Sequence, residues 1–512
     1  MNNLPDDSTA VSAGRWAKLI DQSTCIGCHA CTTACKSEND VPVGVTRTFV
    51  KSVDVGSYPN ARRRFQVTRC NQCEDSPCTR ACPTGAMFRR ADGIVDFDKD
   101  ICIGCKACMA ACPYDAIFIN PEDHSAEKCN FCSHRIDAGL EPACVVVCPT
   151  QSIFVGDLDD PDSRVARTVQ EGGVAVRRPE KGTRPRLHYK GAHQATLDPL
   201  AAARPEGSLF AWAEQLAGGD VVPGGHPDRP TSSAAARISY DHPHRRPWGW
   251  SVSAYTWTKN LAAGLYLVPL MLVALDLLPA SSPLWQWVAP VGGGVFLALT
   301  GLLLVGDLAQ PRRFWLIFRR PRWESWLVRG GLILVAYGAL LAAHWGAGLA
   351  GATGLQRALM WPGALLAVLC SIYTAFLFAQ ARARDLWQSP LLAPHLLVQA
   401  LVVGGALLAP LALYLAPSVL PLLLLLVAVM SGLHLALLAI EPLATPATAS
   451  VHLAVRTMVR GRYAAFFWTG AAFSAIGCAA PWLGPWFCLF ALFGPLAYEH
   501  AFVQSGQSVP LA

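Results

Sequence analysis

The chain has 512 residues, which is more than one ordinary domain holds and predicts at least two hydrophobic cores. Its formal net charge is only +6, and its C-terminal arginines stand beside apolar runs, which argues against nucleic-acid binding as a function class. Residues 1–19 contain Asp6 and Asp7 and no basic segment followed by an apolar run, so we expect no cleavable export signal.

The first half of the chain, residues 15–190, carries 16 of the 19 cysteines, all between Cys25 and Cys148. Short strand-like pieces such as residues 93–97 separate the cysteine groups. A disulfide framework of this size is typical of a short secreted protein, so metal ligation is the better interpretation for a long membrane chain. We expect an α+β domain with little regular structure.

These cysteines form four groups of four, which predict four [4Fe–4S] clusters. The groups are Cys25, Cys28, Cys31 and Cys35; Cys70, Cys73, Cys78 and Cys82; Cys102, Cys105, Cys108 and Cys112; and Cys129, Cys132, Cys144 and Cys148. The third group precedes Pro113 and has the C-x2-C-x2-C-x3-C-P spacing of bacterial ferredoxins, in which the last cysteine binds the partner cluster. Zinc is the alternative, but a zinc site needs one closed tetrahedral set and no third cysteine at the next step. The remaining three, Cys370, Cys478 and Cys488, lie in apolar spans and are interpreted as packing residues.

Residues 191–250 are predicted to be an irregular extension and juxtamembrane tether, because Pro, Gly, Ser and Arg recur there without apolar periodicity. The tether ends on Arg245, Arg246, Trp248 and Trp250, residue types that suit a lipid headgroup layer.

Residues 251–505 are predicted to form an all-α transmembrane bundle of eight helices. Each of eight apolar stretches approaches the ~20 residues that cross a ~30 Å hydrocarbon core. The stretches are 252–277, 285–306, 326–348, 357–380, 391–414, 418–440, 463–480 and 486–503. Pro481, Gly484 and Pro485 make the boundary between the last two the hardest to place.

Polar side chains inside these spans predict a quinone site, because ionisable residues within a membrane are costly. Those near the ends that face the cysteine-rich half are Lys259, Asn260, Asp307, Arg329, Tyr373, Arg382, His395, His434 and Glu441. Six of them are our candidate contacts for a quinone head group: Lys259, Asn260, Tyr373, His395, His434 and Glu441. Helix–helix contacts or snorkelling are the alternative, and we favour that alternative for Arg382 and Asp307.

The loops on the side of the cysteine-rich half are rich in arginine, which predicts that this side is cytoplasmic. They carry Arg312, Arg313, Arg319, Arg320, Arg322, Arg382, Arg384, Arg456, Arg460 and Arg462, whereas the opposite side has only Arg357. Docking of the cysteine-rich domain or of lipid headgroups would also explain these arginines. We expect a multi-pass protein of the inner or plasma membrane.

Two parts of the sequence carry a family resemblance. The segments Cys70–Cys105 and Lys128–Ile153 resemble the iron–sulfur electron-transfer subunit of dimethyl-sulfoxide-reductase-type molybdoenzymes, including polysulfide reductase. The segments Gly306–Gly331 and Tyr373–Leu408 resemble quinone-interacting membrane anchors of the NrfD and polysulfide reductase type. The resemblance implies a duplicated ferredoxin-like fold followed by an eight-helix anchor without haem. The scattered positions of His344, His395, His434, His452 and His500 also fit no haem pair.

The resemblance further implies that the groups exchange their last cysteines. It gives four ligand sets, each named here after the exchanged cysteine: the Cys148 set with Cys25, Cys28 and Cys31; the Cys35 set with Cys129, Cys132 and Cys144; the Cys112 set with Cys70, Cys73 and Cys78; and the Cys82 set with Cys102, Cys105 and Cys108. Some relatives have tryptophan in the third group and a three-iron cluster. Cys105 is present here, so four cubanes are expected.

The predicted function is electron relay between the quinone pool, menaquinone or ubiquinone, and a separate molybdopterin (Mo or W) catalytic subunit. The chain itself shows no nucleophile or acid–base constellation for substrate chemistry, so only quinone oxidation or reduction would occur on it. The direction of electron flow stays open between a dehydrogenase and a terminal reductase. Two alternatives are a proton-translocating module that uses Glu441, His434 and Glu499, and a purely structural anchor. The far halves of most spans are nearly all Leu, Ala and Val, which speaks against a proton path.

Overall fold

The computed structural model describes residues 14–203, 236–242 and 244–512. The chain divides into two compact units, Met1–Arg245 with Pro510–Ala512, and Arg246–Val509. The first unit contains the cysteine groups and the second contains the long apolar helices. The boundary coincides with the change from a charged, cysteine-rich sequence to an apolar one.

The first unit is built from short strands and short helices. The strands are β1 Trp16–Asp21, β2 Thr48–Val55, β3 Arg62–Arg69, β4 Met87–Arg89, β5 Val95–Phe97, β6 Ile117–Ile119, β7 Ala126–Lys128, β8 Ile153–Asp157, β9 Val174–Ala175, β10 Leu187–Lys190 and β11 Arg237–Tyr240. The helices are α1 Ala30–Glu38, α2 Pro77–Ala81, α3 Ala107–Ala111, α4 Ser133–Asp137, α5 Ala143–Val146, α6 Arg164–Glu171 and α7 Gln194–Leu197. This composition confirms the predicted α+β class.

An internal repeat is visible around the second and third cysteine groups. Helix α2 is followed by the antiparallel hairpin β4–β5, and α3 is followed by the antiparallel hairpin β6–β7. A four-stranded sheet in the order β8-β1-β10-β9 flanks the first and fourth groups, with β1 parallel to β10 and antiparallel to β8. The duplicated helix-and-hairpin arrangement is what the ferredoxin-like resemblance implied.

The segment before the membrane helices contains regular structure that the sequence did not reveal. Strand β11 adds to the β2–β3 hairpin by antiparallel pairing with β2, although its residues fall in the predicted irregular extension. His244 is hydrogen-bonded to Asp241 at 3.2 Å and to Asp115. Burial lowers the pKa of His244, but these two carboxylates outweigh it and raise the pKa to about 9. The imidazole is therefore charged at neutral pH, and the ion pairs hold this segment on the first unit.

The second unit is entirely helical. Its helices are α8 Trp250–Ala274, α9 Gly293–Gly306, α10 Leu316–Arg319, α11 Trp326–Leu349, α12 Thr353–Gln380, α13 Leu392–Leu415, α14 Leu420–Leu443, α15 Ala449–Val459, α16 Ala464–Cys478, α17 Ala480–Leu483 and α18 Cys488–Ser508. A π-helical segment, Leu284–Gly292, leads directly into α9. Among the described residues, seven helices are long and apolar enough to cross a membrane.

The seventh predicted span is shorter than expected. Helix α16 has 15 residues, which is about 22 Å at 1.5 Å per residue and less than the ~30 Å hydrocarbon core. It ends before Pro481, and Gly484 with a φ of 93° begins the turn into α18. The other seven predicted spans coincide with the seven long helices, so the helical bundle is confirmed with one short member.

The centre of the bundle is a direct backbone contact between α8 and α13. A Cβ atom added to Gly264 would lie 2.0 Å from the Ala400 carbonyl oxygen, and one added to Gly404 would lie 2.4 Å from the Gly264 carbonyl carbon. The two glycines therefore allow the helix axes to approach more closely than any side chain would permit. This packing places Asn260 of α8 beside Gln399 of α13.

We expect Gly264→Ala to destabilise the second unit by about 1–3 kcal/mol or more, because the obstacle to the added methyl group is backbone and not a movable side chain. The matched control is Gly294→Ala on α9, where an added Cβ meets nothing within 4 Å. Thermal denaturation in detergent should show a lower midpoint for the first variant alone. Equal midpoints for the two variants would contradict the close crossing of α8 and α13.

Candidate metal centres and polar membrane site

The first C-x-x-C segment of each cysteine group has the same loop conformation. The residue before the second cysteine has a positive φ in each case: 69° at Gly27, 47° at Gln72, 66° at Gly104 and 68° at Phe131. Glycine adopts this conformation freely, whereas Gln72 and Phe131 do so at a cost. The turn directs backbone amides toward the thiols, as shown by Gln72 N, which donates to Cys70 Sγ at 3.5 Å. Amide hydrogen bonds to cluster sulfurs are one of the features that set cluster potentials.

Thiols of the first and fourth groups lie together in the structure. Burial raises the pKa of Cys35 to about 12, and the thiolates of Cys129 and Cys144 raise it too. Asn39 Nδ2 lies 3.8 Å from both Cys35 Sγ and Cys132 Sγ, which brings members of two sequence groups to one amide. These neighbours are the ones that the predicted Cys35 set requires.

The predicted Cys148 set shows the same relation between distant parts of the sequence. Burial raises the pKa of Cys25, and the nearby Cys148 and Cys28 thiolates raise it further. Cys28 is exposed, while Cys25 and Cys148 are half-buried. This set lies nearer to the surface of the chain than the Cys112 set, whose four members are all buried.

Cysteines of the second and third groups also lie beside one another. Burial raises the pKa of Cys73, with further increases from Cys70, Cys78 and Cys112. A small enclosed cavity is lined by all four members of the Cys82 set, namely Cys82, Cys102, Cys105 and Cys108. Four thiols around one enclosed space fit the donor set of a cubane cluster.

A single metal ion would need its ligand atoms closer together than these thiols are. Within the described parts of the chain, no group of three or more His, Cys, Asp or Glu residues has the spacing that holds one ion. A four-iron cluster separates its thiolates further, because iron and sulfide atoms lie between them. The ligand sets themselves remain a prediction that fits the arrangement of the thiols.

Two buried cations lie against the Cys35 set. Lys18 Nζ is 3.9 Å from both Cys129 Sγ and Cys144 Sγ, and Arg69 Nη1 donates to Cys144 Sγ at 2.9 Å. Lys18 is 2% exposed and Arg69 is 1% exposed. Burial raises the pKa of Cys129, but the charges of Lys18 and Arg69 outweigh it and bring the pKa down to about 7. The protein therefore stabilises negative charge at this set.

In the second unit, two of the six candidate quinone residues, Lys259 and Asn260, belong to one buried hydrogen-bonded network, and the ring of Tyr373 lies against it. Ser371 Oγ donates to Asn260 Oδ1 at 3.2 Å, and Asn260 Nδ2 donates to Gln399 Oε1 at 3.3 Å. Lys259 donates to the Ser371 carbonyl and lies 4.9 Å from the centre of the Tyr373 ring. The network joins α8, α12 and α13.

The network ends at a carboxyl group on α18. Gln399 Nε2 donates to Glu499 Oε1 at 2.8 Å, and Glu499 Oε2 is buried with no hydrogen-bond partner among the described residues. Sequence reasoning named Glu499 only for proton movement and missed Ser371 and Gln399. Gln399 lies four residues after His395 on α13, so helical spacing was the signal that could have found it.

The other three candidate residues are grouped around Tyr498 of α18. His395 Nε2 and His434 Nδ1 share a hydrogen bond of 2.8 Å, and the Tyr498 ring lies 4.9 Å from the His395 ring. Glu441 interacts with Tyr498, and its Oε2 is buried without a hydrogen-bond partner in the described chain. The structure thus places the six residues in two neighbouring clusters, where the sequence led us to expect one ring.

The opposite half of the bundle is less apolar than the sequence suggested. Tyr266 and His344 are buried and share a hydrogen bond of 3.2 Å between Oη and Nδ1. Gln356, in the first turn of α12, is 3% exposed and is also buried. Tyr266 and His344 are far apart in the sequence and meet only after folding, so this half holds a polar contact that the composition of single spans did not reveal.

Comparison with protein families agrees with both halves. Residues 16–37 match the model of a 4Fe-4S binding domain, residues 62–158 match a 4Fe-4S dicluster domain, and residues 239–487 match the polysulphide reductase NrfD family. A tetrathionate reductase subunit of Salmonella typhimurium is 44% identical over 191 residues, which are 36% of this chain and 76% of the relative. The chain belongs to this family of iron–sulfur subunits, joined to an NrfD-type membrane domain.

Two further relatives cover the same half. A polysulfide reductase protein of Wolinella succinogenes is 40% identical over 178 residues, which are 34% of this chain and 93% of the relative. Thiosulfate reductase electron transfer subunit PhsB of Salmonella typhi is 47% identical over 163 residues, which are 31% of this chain and 84% of the relative. The family predicted from the sequence is confirmed, and the chain is an iron–sulfur electron-transfer protein with a multi-pass membrane anchor.

Proposed function

We propose that this chain carries electrons between a separate molybdopterin (Mo or W) catalytic subunit and membrane quinone through four [4Fe–4S] clusters. The observation that carries the proposal is the gathering of cysteines from distant groups into neighbouring sets, in the same chain as an NrfD-type anchor. Each set would hold one cubane, which supplies one-electron transfer when bound. A row of such centres can link a two-electron active site to a two-electron carrier.

The Cys148 set is proposed as the end of the relay that meets the catalytic subunit. Its Cys28 is exposed, so a partner protein can approach the cluster closely. The relatives named above are subunits of tetrathionate, polysulfide and thiosulfate reductases, which favours a sulfur-compound reductase as the complex. The arginine-rich loops favour a cytoplasmic position for the iron–sulfur unit in the inner or plasma membrane.

The two buried clusters of the second unit are proposed to serve quinone, menaquinone or ubiquinone. Reduction of a quinone needs hydrogen-bond donors for two carbonyl oxygens and a source of two protons. Lys259, Asn260 and Tyr373 supply donors in one cluster. His434 Nε2 and Glu441 Oε2, both buried and without hydrogen-bond partners in the described chain, are free to exchange protons in the other.

The test is quinol-driven reduction of the clusters in the purified complex. We expect the double variant Asn260→Leu, Tyr373→Phe to slow this reduction at least about tenfold, since it removes two hydrogen bonds to the head group of about 1 kcal/mol each. Reduction by dithionite should be unchanged. Tyr414→Phe, at an exposed tyrosine near the end of α13, is the matched control. Unchanged quinol kinetics in the double variant would support the purely structural anchor instead.

A second candidate function is proton translocation by the second unit. The observation that favours it is the presence of buried ionisable or hydroxyl side chains in both halves of the bundle, with Glu499 in one and His344 in the other. Loss of proton translocation in liposomes by Glu441→Gln, with quinone turnover retained, would promote this function over the simple relay.

A further inference from the structure

A short segment of the first unit, residues 183–186, lies along the loop that carries Cys73. Backbone hydrogen bonds hold it there on both sides of that cysteine: Asp75 N donates to the Thr183 carbonyl at 3.0 Å, and Arg186 N donates to the Asn71 carbonyl at 2.9 Å. The segment follows the fourth cysteine group in the sequence, so only the fold brings it to the second group. Main-chain contacts therefore fix Thr183 beside a predicted cluster ligand.

The side chain of Thr183 connects two members of the first unit that belong to one predicted ligand set. Its hydroxyl group is hydrogen-bonded to the Cys73 sulfur and to the hydroxyl group of Tyr114, with 2.6 Å between the two oxygens. Tyr114 follows Cys112, the exchanged cysteine of the same set, by two residues. Thr183 is 0% exposed and Tyr114 is 1% exposed, so both hydroxyl groups act in the protein interior.

Hydroxyl groups beside cysteine sulfurs recur in this unit. The second residue after Cys82 and after Cys148 is a threonine, whose hydroxyl oxygen lies 3.9 and 3.8 Å from the respective cysteine sulfur. The second residue after Cys112 is Tyr114, and its longer side chain carries the hydroxyl group to Thr183. The Cys112 set thus receives its hydroxyl group from a separate segment of the chain.

The donor and acceptor roles in this pair follow from the state of the cysteine. A cysteine that binds iron is a thiolate, which carries no proton and can only accept a hydrogen bond. Thr183 has one hydroxyl proton, so it donates that proton to Cys73 and accepts the proton of Tyr114. Hydrogen bonds in such a chain polarise one another, and the bond that ends on sulfur is strengthened.

We propose that Thr183 and Tyr114 are positioning residues that raise the reduction potential of the cluster in the Cys112 set. The inference rests on the proposed function, in which this set holds one cubane of the relay. One-electron reduction increases the negative charge on the thiolate sulfurs, and a hydrogen bond to Cys73 stabilises that charge. The pair favours the reduced state of this cluster without itself gaining or losing a proton.

The test is a redox titration of the purified full-length complex, followed by electron paramagnetic resonance at the signal that Cys112→Ser removes. Thr183→Val keeps the branched side chain without its hydroxyl group, so the equilibrium constant for reduction should fall roughly tenfold, which is about 59 mV for one electron. Thr183→Ser keeps the hydroxyl group and should retain the potential. Thr168→Val is the matched control, because the Thr168 hydroxyl group donates to the Arg164 carbonyl at 2.9 Å within α6. It should leave the potential unchanged.

A second variant covers the case in which Thr183→Val loses its cluster. Tyr114→Phe leaves the hydrogen bond from Thr183 to Cys73 in place and removes the group that polarises it, so it should lower the same potential by a smaller amount. An unchanged potential in Tyr114→Phe would then overturn the inference.

Two other results would also overturn it and leave the proposed function intact. One is an unchanged potential in Thr183→Val at full iron content. The other is an equal shift in the valine and serine variants, because Thr183 would then act through packing. Absence of iron–sulfur clusters from the unaltered protein would instead sink the proposed function.

Discussion

Replacing Cys112 with serine will damage the cluster held by Cys70, Cys73 and Cys78 and leave the one held by Cys102, Cys105 and Cys108. Cys112 belongs by sequence to the group of Cys102, Cys105 and Cys108. If each group bound its own cluster, the substitution would instead damage the cluster of that group. The structure favours the exchange, because Cys112 is among the neighbours of Cys73 and Cys78, while Cys82 is a neighbour of Cys105 and Cys108. A cubane that loses one thiolate commonly loses its iron or the whole cluster.

The measurement is iron content together with electron paramagnetic resonance of the reduced complex. The intact protein should contain about 16 iron atoms, four for each cubane, and the variant about 12 to 15. Cys82→Ser is the reciprocal variant and should remove the signal of the other cluster. Cys370→Ser, at a buried cysteine of the second unit, is the control and should retain all the iron. Loss of the same signal in Cys82→Ser and Cys112→Ser would refute the exchange.

The loop conformation at the cysteine groups was partly predictable from the sequence, because short spacings dictate the loop geometry. A C-x-x-C segment holds both thiols on one turn, and Gly27 and Gly104 reveal the positive φ in advance. Gln72 and Phe131 adopt the same conformation without a sequence signal. The cations near the Cys35 set were not predictable, because Lys18 lies on β1 and meets Cys129 only through the tertiary fold.

In the membrane half, the sequence predicted the membrane-spanning helices better than it predicted the polar site. The length of an apolar stretch reveals a membrane helix because the bilayer core has a fixed thickness. This prediction fails only for α16, where Pro481 and Gly484 shorten the helix. The polar clusters depend on how each helix is rotated and on which helices pack beside it. Neither can be read from the sequence of one span. Lys259 and Asn260 therefore meet Ser371 and Gln399, while His395 meets His434 and Tyr498.

Lys18→Met should lower the reduction potential of the cluster in the Cys35 set more than that of any other cluster. Reduction adds negative charge, which the ammonium group favours from 3.9 Å, so removal of that group makes the electron harder to add. Two unit charges 4 Å apart interact by about 4 kcal/mol at an effective dielectric constant of 20. The added electron is spread over the cluster and lies further away, so we expect a shift equivalent to roughly 1–2 kcal/mol.

A redox titration followed by electron paramagnetic resonance measures this shift directly. Lys18→Arg keeps the charge and should leave the potential close to its original value, whereas Lys18→Met keeps the length of the side chain and removes only the charge. The clusters of the Cys82 and Cys112 sets serve as internal references, because a general loss of structure would move their potentials as well. Since Arg69 would still contact Cys144, the Lys18→Met variant should retain its cluster. An equal shift in the Met and Arg variants would mean that Lys18 acts through packing and not through its charge.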